Sequence, residues 1–412
     1  MKRKRALTVK RLIGLCKGIE DPRRVWGNKR HELTDMLVIA LLAIICGSEG
    51  WEEIRDYGKM KLRWLRTILE LPNGIPSEST FRRLFARIKP EVLETLYREW
   101  ITPYIGSSVG KQLCVDGKTL RGVSSRSDAR LHMISAWIHE DNISLGQIRT
   151  EEKSNEITAI PQLLSSLAIE GSVVTIDAMG CQKNIARTIV EKDASYVLAV
   201  KENHPTLHRE ITEYFEWAIQ DAAEKHRLSY HHEKTFDHGR TTHWRVFSTK
   251  DTVWFESKED WACLQSFVMV ECAWDNGTQR HMQRRFYISS LDTDAKSFHK
   301  YLRGHWSIEN QLHWLLDVAF HEDDCLIYQG FAPENLALLR KIALALLKLD
   351  TSKKASIARK RKMAGWDDSF ALHLTLLSKC FCRVVLLEEL VLMGDNMLNY
   401  GIISFRKEGL AL

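Results

Sequence analysis

Two short stretches constrain the fold most: Ser-Val-Val-Thr-Ile-Asp-Ala at 172–178 and Tyr-Val-Leu-Ala-Val at 196–200. Neither alternates polar and apolar residues in the way a half-solvated strand does. Each therefore reads as a strand buried on both faces of a sheet. Residues 181–192 lie between them with helical periodicity. Upstream, residues 111–119, 132–139 and 143–150 read as three more strands, the last two joined by the turn Glu140-Asp141-Asn142. A helix is expected over residues 155–167, where Asn155 supplies a start signal ahead of an apolar stripe.

The resulting order, β-β-β-α-β-α-β, is that of a ribonuclease-H-like core. The fold class expected is α/β, with this catalytic core preceded by an all-helical amino-terminal domain. At 412 residues the chain exceeds what one hydrophobic core usually serves, so two or three domains are expected. Residues 1–105 read as helical. Leu33, Met36, Leu37, Ile39, Ala40, Leu41 and Ile44 form an apolar face that Thr34 can cap, a second amphipathic unit starts at Trp51, and a third starts near Ser77. The core domain is placed at 106–378. Within it, 203–284 reads as a mainly β insertion with hairpin turns at Asp237-His238-Gly239-Arg240 and Asp275-Asn276-Gly277. Its last strand is expected to rejoin the core sheet. Residues 295–350 return to helix, and 379–412 form an atypical tail that is expected to be dispensable for folding.

Three acidic residues occupy distinctive settings. Asp116 and Asp177 end short apolar runs, and Glu309 opens a helical pattern expected over 307–320. Ligands of open α/β sheets sit outside the carboxyl ends of strands. Two carboxylates brought together there repel each other unless a cation is present. Two hard cations held by oxygen ligands can activate a water or hydroxyl and stabilise a leaving oxygen, which is what cutting a phosphodiester needs. The competing reading for each Asp is a turn or helix cap, and for Glu309 a favourable acid in a first helical turn. His305 and His313 fall near the Glu309 face by helical spacing. His305, His313 and His321 are eight residues apart, two turns each, which is too far for one zinc ion.

Net charge is +6 and the pI is near 8.7, a mild bias toward a polyanionic partner. Arg82, Arg83 and Arg87 form a basic face that reads either as a DNA-recognition helix or as a solvated surface. The first twelve residues and the run through Lys353, Lys354, Arg359, Lys360, Arg361 and Lys362 are further basic segments. The nine cysteines include no Cys-x-x-Cys pair and read as free thiols of a reducing compartment. The apolar run from Met36 to Cys46 is shorter than the roughly 20 residues of a membrane span. A cytoplasmic location without membrane contact is therefore expected.

Longer motifs add a resemblance. Asp21-Pro22-Arg23, Val115-Asp116-Gly117-Lys118, Ser135-Ala136-Trp137, Glu152-Lys153-Ser154-Asn155-Glu156-Ile157 and Thr175-Ile176-Asp177-Ala178-Met179 occur in that order. Tyr196 through Asn203, Gly239-Arg240 and His305-Trp306-Ser307-Ile308-Glu309-Asn310 follow, over nearly the whole chain. The chain thus resembles the ISAs1-type DDE transposases, the group that includes the H-repeat-associated proteins. The resemblance implies that Asp116, Asp177 and Glu309 are catalytic and metal-binding, with two Mg²⁺ or Mn²⁺ ions. It further implies element ends and target DNA as partners, and a homodimer in the synaptic complex. Lys118, Arg121, Lys201, Arg303 and His305 join the basic groups above as candidate DNA contacts. The wider IS4-like group places a Tyr, an Arg and a Lys around its Glu, where this chain has Leu302, His305 and Leu316. The leading expectation is a metal-dependent transposase. The alternative is a catalytically silent DNA-binding relic, and a stand-alone nuclease comes third.

Overall fold

The computed structural model describes residues 19–23, 29–124, 131–150, 156–225, 227–237, 240–275 and 280–375. The basic first twelve residues, the motif segment 152–155, the turn residues 238–239 and 276–277, and the tail 379–412 lie outside them. Nine strands form one sheet in the order β3-β2-β1-β4-β5-β9-β8-β7-β6. They are β1 (Gln112–Thr119), β2 (His132–Ile138), β3 (Ile143–Thr150), β4 (Val173–Ile176), β5 (Ser195–Val200), β6 (Ser229–Asp237), β7 (Arg240–Thr249), β8 (Ser266–Asp275) and β9 (Arg280–Ser289). β1, β4 and β5 run parallel, and β2 is antiparallel to both β1 and β3. The β-rich stretch after β5 extends the same sheet, because β9 pairs antiparallel with β5 and β8, β7 and β6 follow it outward. β4 is buried at every position, as its unbroken apolar run requires.

Among the described residues, four helices of eight or more residues precede the sheet, α1 (Leu33–Ile45), α2 (Trp51–Met60), α3 (Glu78–Phe85) and α4 (Pro90–Ile105), with a single short turn of helix at Leu62–Leu65. The α3 start matches its sequence signal, with Ser77 Oγ accepting from Thr80 N at 3.3 Å. The α1 start does not. Its cap position is Glu32, no side chain caps it, and Thr34 sits inside the first turn. Burial on nearly all sides stabilises α1 instead, since Met36, Ile39, Ala40 and Ile45 have no measurable exposure. Within and after the sheet come α5 (Glu156–Ser165), α6 (Lys183–Val190), α7 (Pro205–Gln220), α8 (Ala295–His305), α9 (Trp314–Phe320), α10 (Ala332–Leu349), α11 (Ile357–Trp366) and α12 (Asp368–Thr375).

α10 is the axle of the molecule. It is buried from Ala332 to Leu347 and packs against α1, α3, α4, α11 and β3. A helix buried all round must satisfy its polar side chains internally. Asn335 Nδ2 donates to Phe85 O at 2.8 Å and Ile88 O at 2.9 Å, which fastens it to the end of α3. Lys341 Nζ donates to Ser135 Oγ at 2.7 Å and Gln147 Oε1 at 2.6 Å, which fastens it to β2 and β3. Among the described residues no helix is long and apolar enough to cross a membrane.

The basic run near α11 departs from its expected role. Lys360 and Arg361 are each 5% exposed. Lys360 Nζ donates to Leu347 O at 2.9 Å and to Asp350 O, and lies 3.1 Å from the Asp350 carboxylate. Arg361 donates to Ile44 O at 2.9 Å and to Ala319 O, closing the carboxyl ends of α1 and α9. Both head groups are turned into the protein and committed to backbone carbonyls, which corrects their assignment as DNA contacts. Lys353, Lys354 and Arg359 remain exposed.

Arg361→Ala is expected to destabilise the protein by about 2–4 kcal/mol, because it leaves buried carbonyls of two helices unpaired. The neighbouring exposed Lys362→Ala should stay within about 0.5 kcal/mol of the parent. Denaturant unfolding of the two variants checks this.

Candidate active site

Asp116 and Asp177 are placed by strand register. β1 and β4 pair in parallel from Gln112↔Val173 to Val115↔Ile176, and the two acids are the next residue on each chain. Parallel neighbours at one register point to the same face. Asp177 leaves its strand at once. It caps the short turn Ala178–Gly180, its Oδ1 accepting from Met179 N at 3.1 Å. The cap reading of this residue is thus realised, and its charge still reaches Asp116.

The residues after Asp116 have their own reasons. A Cβ on Gly117 would lie 2.3 Å from His132 Nε2 and 2.7 Å from Glu156 Oε1, so only glycine fits beside that buried pair. Lys118 Nζ contacts Asp317, with Glu322 Oε2 at 3.1 Å and Asp323 Oδ1 at 3.5 Å. Burial opposes its charge, but Glu322 and Asp317 outweigh that and raise its pKa. An ammonium enclosed by three carboxylates clamps β1 to the end of α9. This replaces its expected role as a phosphate contact.

Glu309 arrives from the other side of the sheet order on a helix docked very closely. At Gly304 an added Cβ would lie 2.1 Å from Gln112 Oε1. Gln112 Nε2 donates to Tyr301 O at 2.7 Å and Thr175 Oγ1 at 3.0 Å, holding α8 across β1 and β4. Ser307 Oγ accepts from Trp137 Nε1 at 3.2 Å and lies 2.9 Å from His139 Nδ1. The helix expected over 307–320 is not uniform: Glu309–His313 form a π turn before α9 begins. Such single wide turns are often found at functional sites.

The π turn points His313 inward. Its Nδ1 lies 3.5 Å from Asp116 Oδ2 and 3.6 Å from Glu309 Oε2, and its Nε2 is buried without a hydrogen-bond partner. Ligand atoms of Asp116, Glu309 and His313 all fall within 4.8 Å of one another, close enough to hold one metal ion. Asp177 stands beside this trio rather than in it. Burial, reinforced by Glu309 and Asp177, pushes the Asp116 carboxyl up to about 6, against the opposing pull of His313. The His313 ring beside Glu309 holds that carboxyl below its ordinary range. Sequence reasoning did not place His313 in the site, and its only sequence signal is the four-residue step from Glu309.

His305 does not act as a cation. Its Nδ1 lies 3.0 Å from Thr175 Oγ1, and burial pushes its pKa down to about 4, so the ring is neutral at physiological pH. Leu316 is fully buried, and Lys118 is a lysine whose charge does reach Glu309. His321 pairs with Asp324 and Glu49, apart from the acids. Arg82, Arg83, Arg87, Arg121, Lys201 and Arg303 are exposed, Arg303 with its guanidinium 4.8 Å from the Trp244 ring centre.

Comparison with known proteins gives this arrangement a family. Residues 108–346 match the family described as the transposase DDE domain, and residues 15–101 match the domain described as DDE_Tnp_1-associated. The chain is 34% identical over 401 residues to YncI of Escherichia coli O157:H7, a protein named as a transposase, covering 95% of this chain and 99% of that one. It is 35% identical over 371 residues to YhhI of Escherichia coli K12, named as an H repeat-associated transposase, covering 88% and 97%. A chain from a cryo-EM structure of the piggyBac transposase synaptic complex with hairpin DNA aligns over 98% of this chain and 84% of that one. That alignment has a TM-score of 0.39 and 13% identity, too remote a likeness to argue from. The chain belongs to the DDE transposase family, among the transposases of the H-repeat type.

Proposed function

We propose that this protein cuts DNA at the ends of a mobile element and joins the freed 3′ hydroxyl to target DNA, using divalent cations at Asp116, Asp177 and Glu309. One observation carries the reading. Ligand atoms of Asp116 and Glu309, 193 positions apart in sequence, lie within 4.8 Å of each other beside His313, and burial with the nearby charges of Glu309 and Asp177 raises the Asp116 carboxyl. The inner strand order β3-β2-β1-β4-β5, with only β2 reversed, supports a ribonuclease-H-like core. The residues suit Mg²⁺ or Mn²⁺, since oxygen donors dominate and the one imidazole tolerates Mn²⁺. Bound there, such ions supply activation of the attacking oxygen and charge neutralisation at the leaving oxygen.

The chain's own residues divide the remaining tasks. Asp116 and Asp177 form the fixed floor, tied to paired strands. Glu309 is 65% exposed at its side chain and faces the approach of substrate. His313 orients Asp116 and Glu309 toward each other, and Lys118 anchors the strand end that carries Asp116. Two copies of the chain, one for each element end, belong to the same proposal.

Asp177→Asn is expected to abolish Mg²⁺- or Mn²⁺-dependent cleavage of cloned element ends while DNA affinity stays near that of the parent. Equal loss of binding and cutting would instead assign Asp177 a structural role.

Asp116 gives a pH-dependent outcome. Its folded pKa of about 6 lies above the unfolded carboxylate value, so the folded state holds the proton more tightly. The charged carboxylate therefore costs stability above about pH 6, and that cost fades as pH falls toward about 4. Metal-free Asp116→Asn should be more stable than the parent by about 1–3 kcal/mol at pH 7, the gap closing with acid. Mn²⁺ should raise the melting temperature of the parent and not of the variant. Thermal melts across pH and Mn²⁺ concentration measure both effects.

DNA affinity should fall steeply with salt. Replacing Arg83 and Arg87, or Lys353 and Lys354, with Ala should reduce the slope by about one for each phosphate that is no longer neutralised. An unchanged slope in a double variant removes that segment from the interface.

A further inference from the structure

A second group of metal-ligating side chains lies outside the acidic site. His231 and Glu233 are two residues apart on β6 and so share one face of the strand. α8, which packs against β6 and β7, sets His299 above them. Glu233 Oε2 is 3.3 Å from His299 Nδ1 and 3.8 Å from His231 Nε2, and ligand atoms of the three residues lie within 4.8 Å of one another. Tetrahedral zinc with bonds of about 2.0–2.2 Å needs ligand separations of about 3.3–3.6 Å. The apo side chains are within a small rotation of that geometry.

His299 supplies the independent observation. Its side chain is 6% exposed, it packs beside Trp244, and its Nε2 is buried with no hydrogen-bond partner. A buried imidazole with one nitrogen on Glu233 and the other unpartnered costs free energy. Neutral imidazole is the form that ligates a metal. Ligation through Nδ1 joins His299 to Glu233 and to His231, which the contacts of 3.3 Å and 3.8 Å do not do by themselves.

We propose that His231, Glu233 and His299 form a transition-metal site of the Zn²⁺ class, separate from the acidic site. Two imidazoles and one carboxylate select against Mg²⁺, which prefers all-oxygen surroundings. Three protein ligands leave one coordination position to water. The bound ion clasps β6, the outermost strand of the sheet, to α8. His299 lies ten residues before Glu309 on the same helical stretch, so the clasp steadies the element that delivers Glu309.

The test uses untagged, metal-free, full-length protein in excess Mg²⁺. It is titrated with Co²⁺, read by visible absorption, and with Zn²⁺, read by stoichiometry and melting temperature. One equivalent of Co²⁺ and of Zn²⁺ is expected to bind, with a rise in melting temperature. His231→Ala and Glu233→Gln, both at partly or fully exposed positions, should lose the Co²⁺ spectrum and the Zn²⁺-dependent rise. Their metal-free melting temperatures should stay near that of the parent, which shows that they fold. His232→Ala, on the opposite face of β6, and His313→Ala should keep both signals. Failure of the parent to bind overturns the proposal. So does a spectrum that survives His231→Ala and Glu233→Gln, or one lost in His313→Ala instead.

Discussion

Parallel pairing of β1 with β4 governs the geometry of the site, because everything else is positioned against those two strands. Register from Gln112↔Val173 to Val115↔Ile176 leaves Asp116 and Asp177 as adjacent strand ends. The same pair forms the bed for α8, through Gln112 and Thr175, and α8 can lie that close only because position 304 has no Cβ. A one-residue slip between β1 and β4 would turn one acid to the opposite face. It would also remove the hydrogen bonds that hold α8 and hence Glu309. The hydrogen bonds from Gln112 to Thr175 and Tyr301 oppose that slip.

The electrostatics of the molecule follow from this crowding. Burial raises the Asp116 pKa to about 6, His313 opposes the rise, and Glu309 and Asp177 add to it. Lys118, two residues along β1, is neutralised by Asp317, Glu322 and Asp323. Positive charge within the fold thus serves largely to join elements. Lys341 ties α10 to β2 and β3, Lys360 ties α11 to the end of α10, and Arg361 closes α1 and α9.

α8 connects two separated parts of the sheet. It packs against β1 and β4 as well as β6 and β7, so the β-rich stretch shares a helix with the acidic site. The strands that follow β5 in sequence therefore brace the helix that leads into the π turn carrying Glu309. β6 ends the nine-stranded sheet, and α8 packs on it and on its neighbour β7.

Much of this was legible in the sequence. The unbroken apolar runs of β4 and β5 demanded burial on both faces, and the strand-ending acids and the Asp116-Gly117-Lys118 motif pointed to the candidate site. What the sequence left open were quantities decided by distant partners. Thr34 reads as a cap, yet α1 is held by burial against α10 and needs none. Lys360 and Arg361 read as solvated charge, because the carbonyls of residues 44, 319, 347 and 350 that receive them lie on other elements. His313 reads as a helix residue with no acidic partner beyond Glu309, because its approach to Asp116 depends on a π turn and on the seat of α8 on β1. Local sequence determined which strands must be buried and which acids end them. Only the tertiary structure decided which charges meet, because the β1–β4 register and the close contact at Gly304 join residues far apart in the chain.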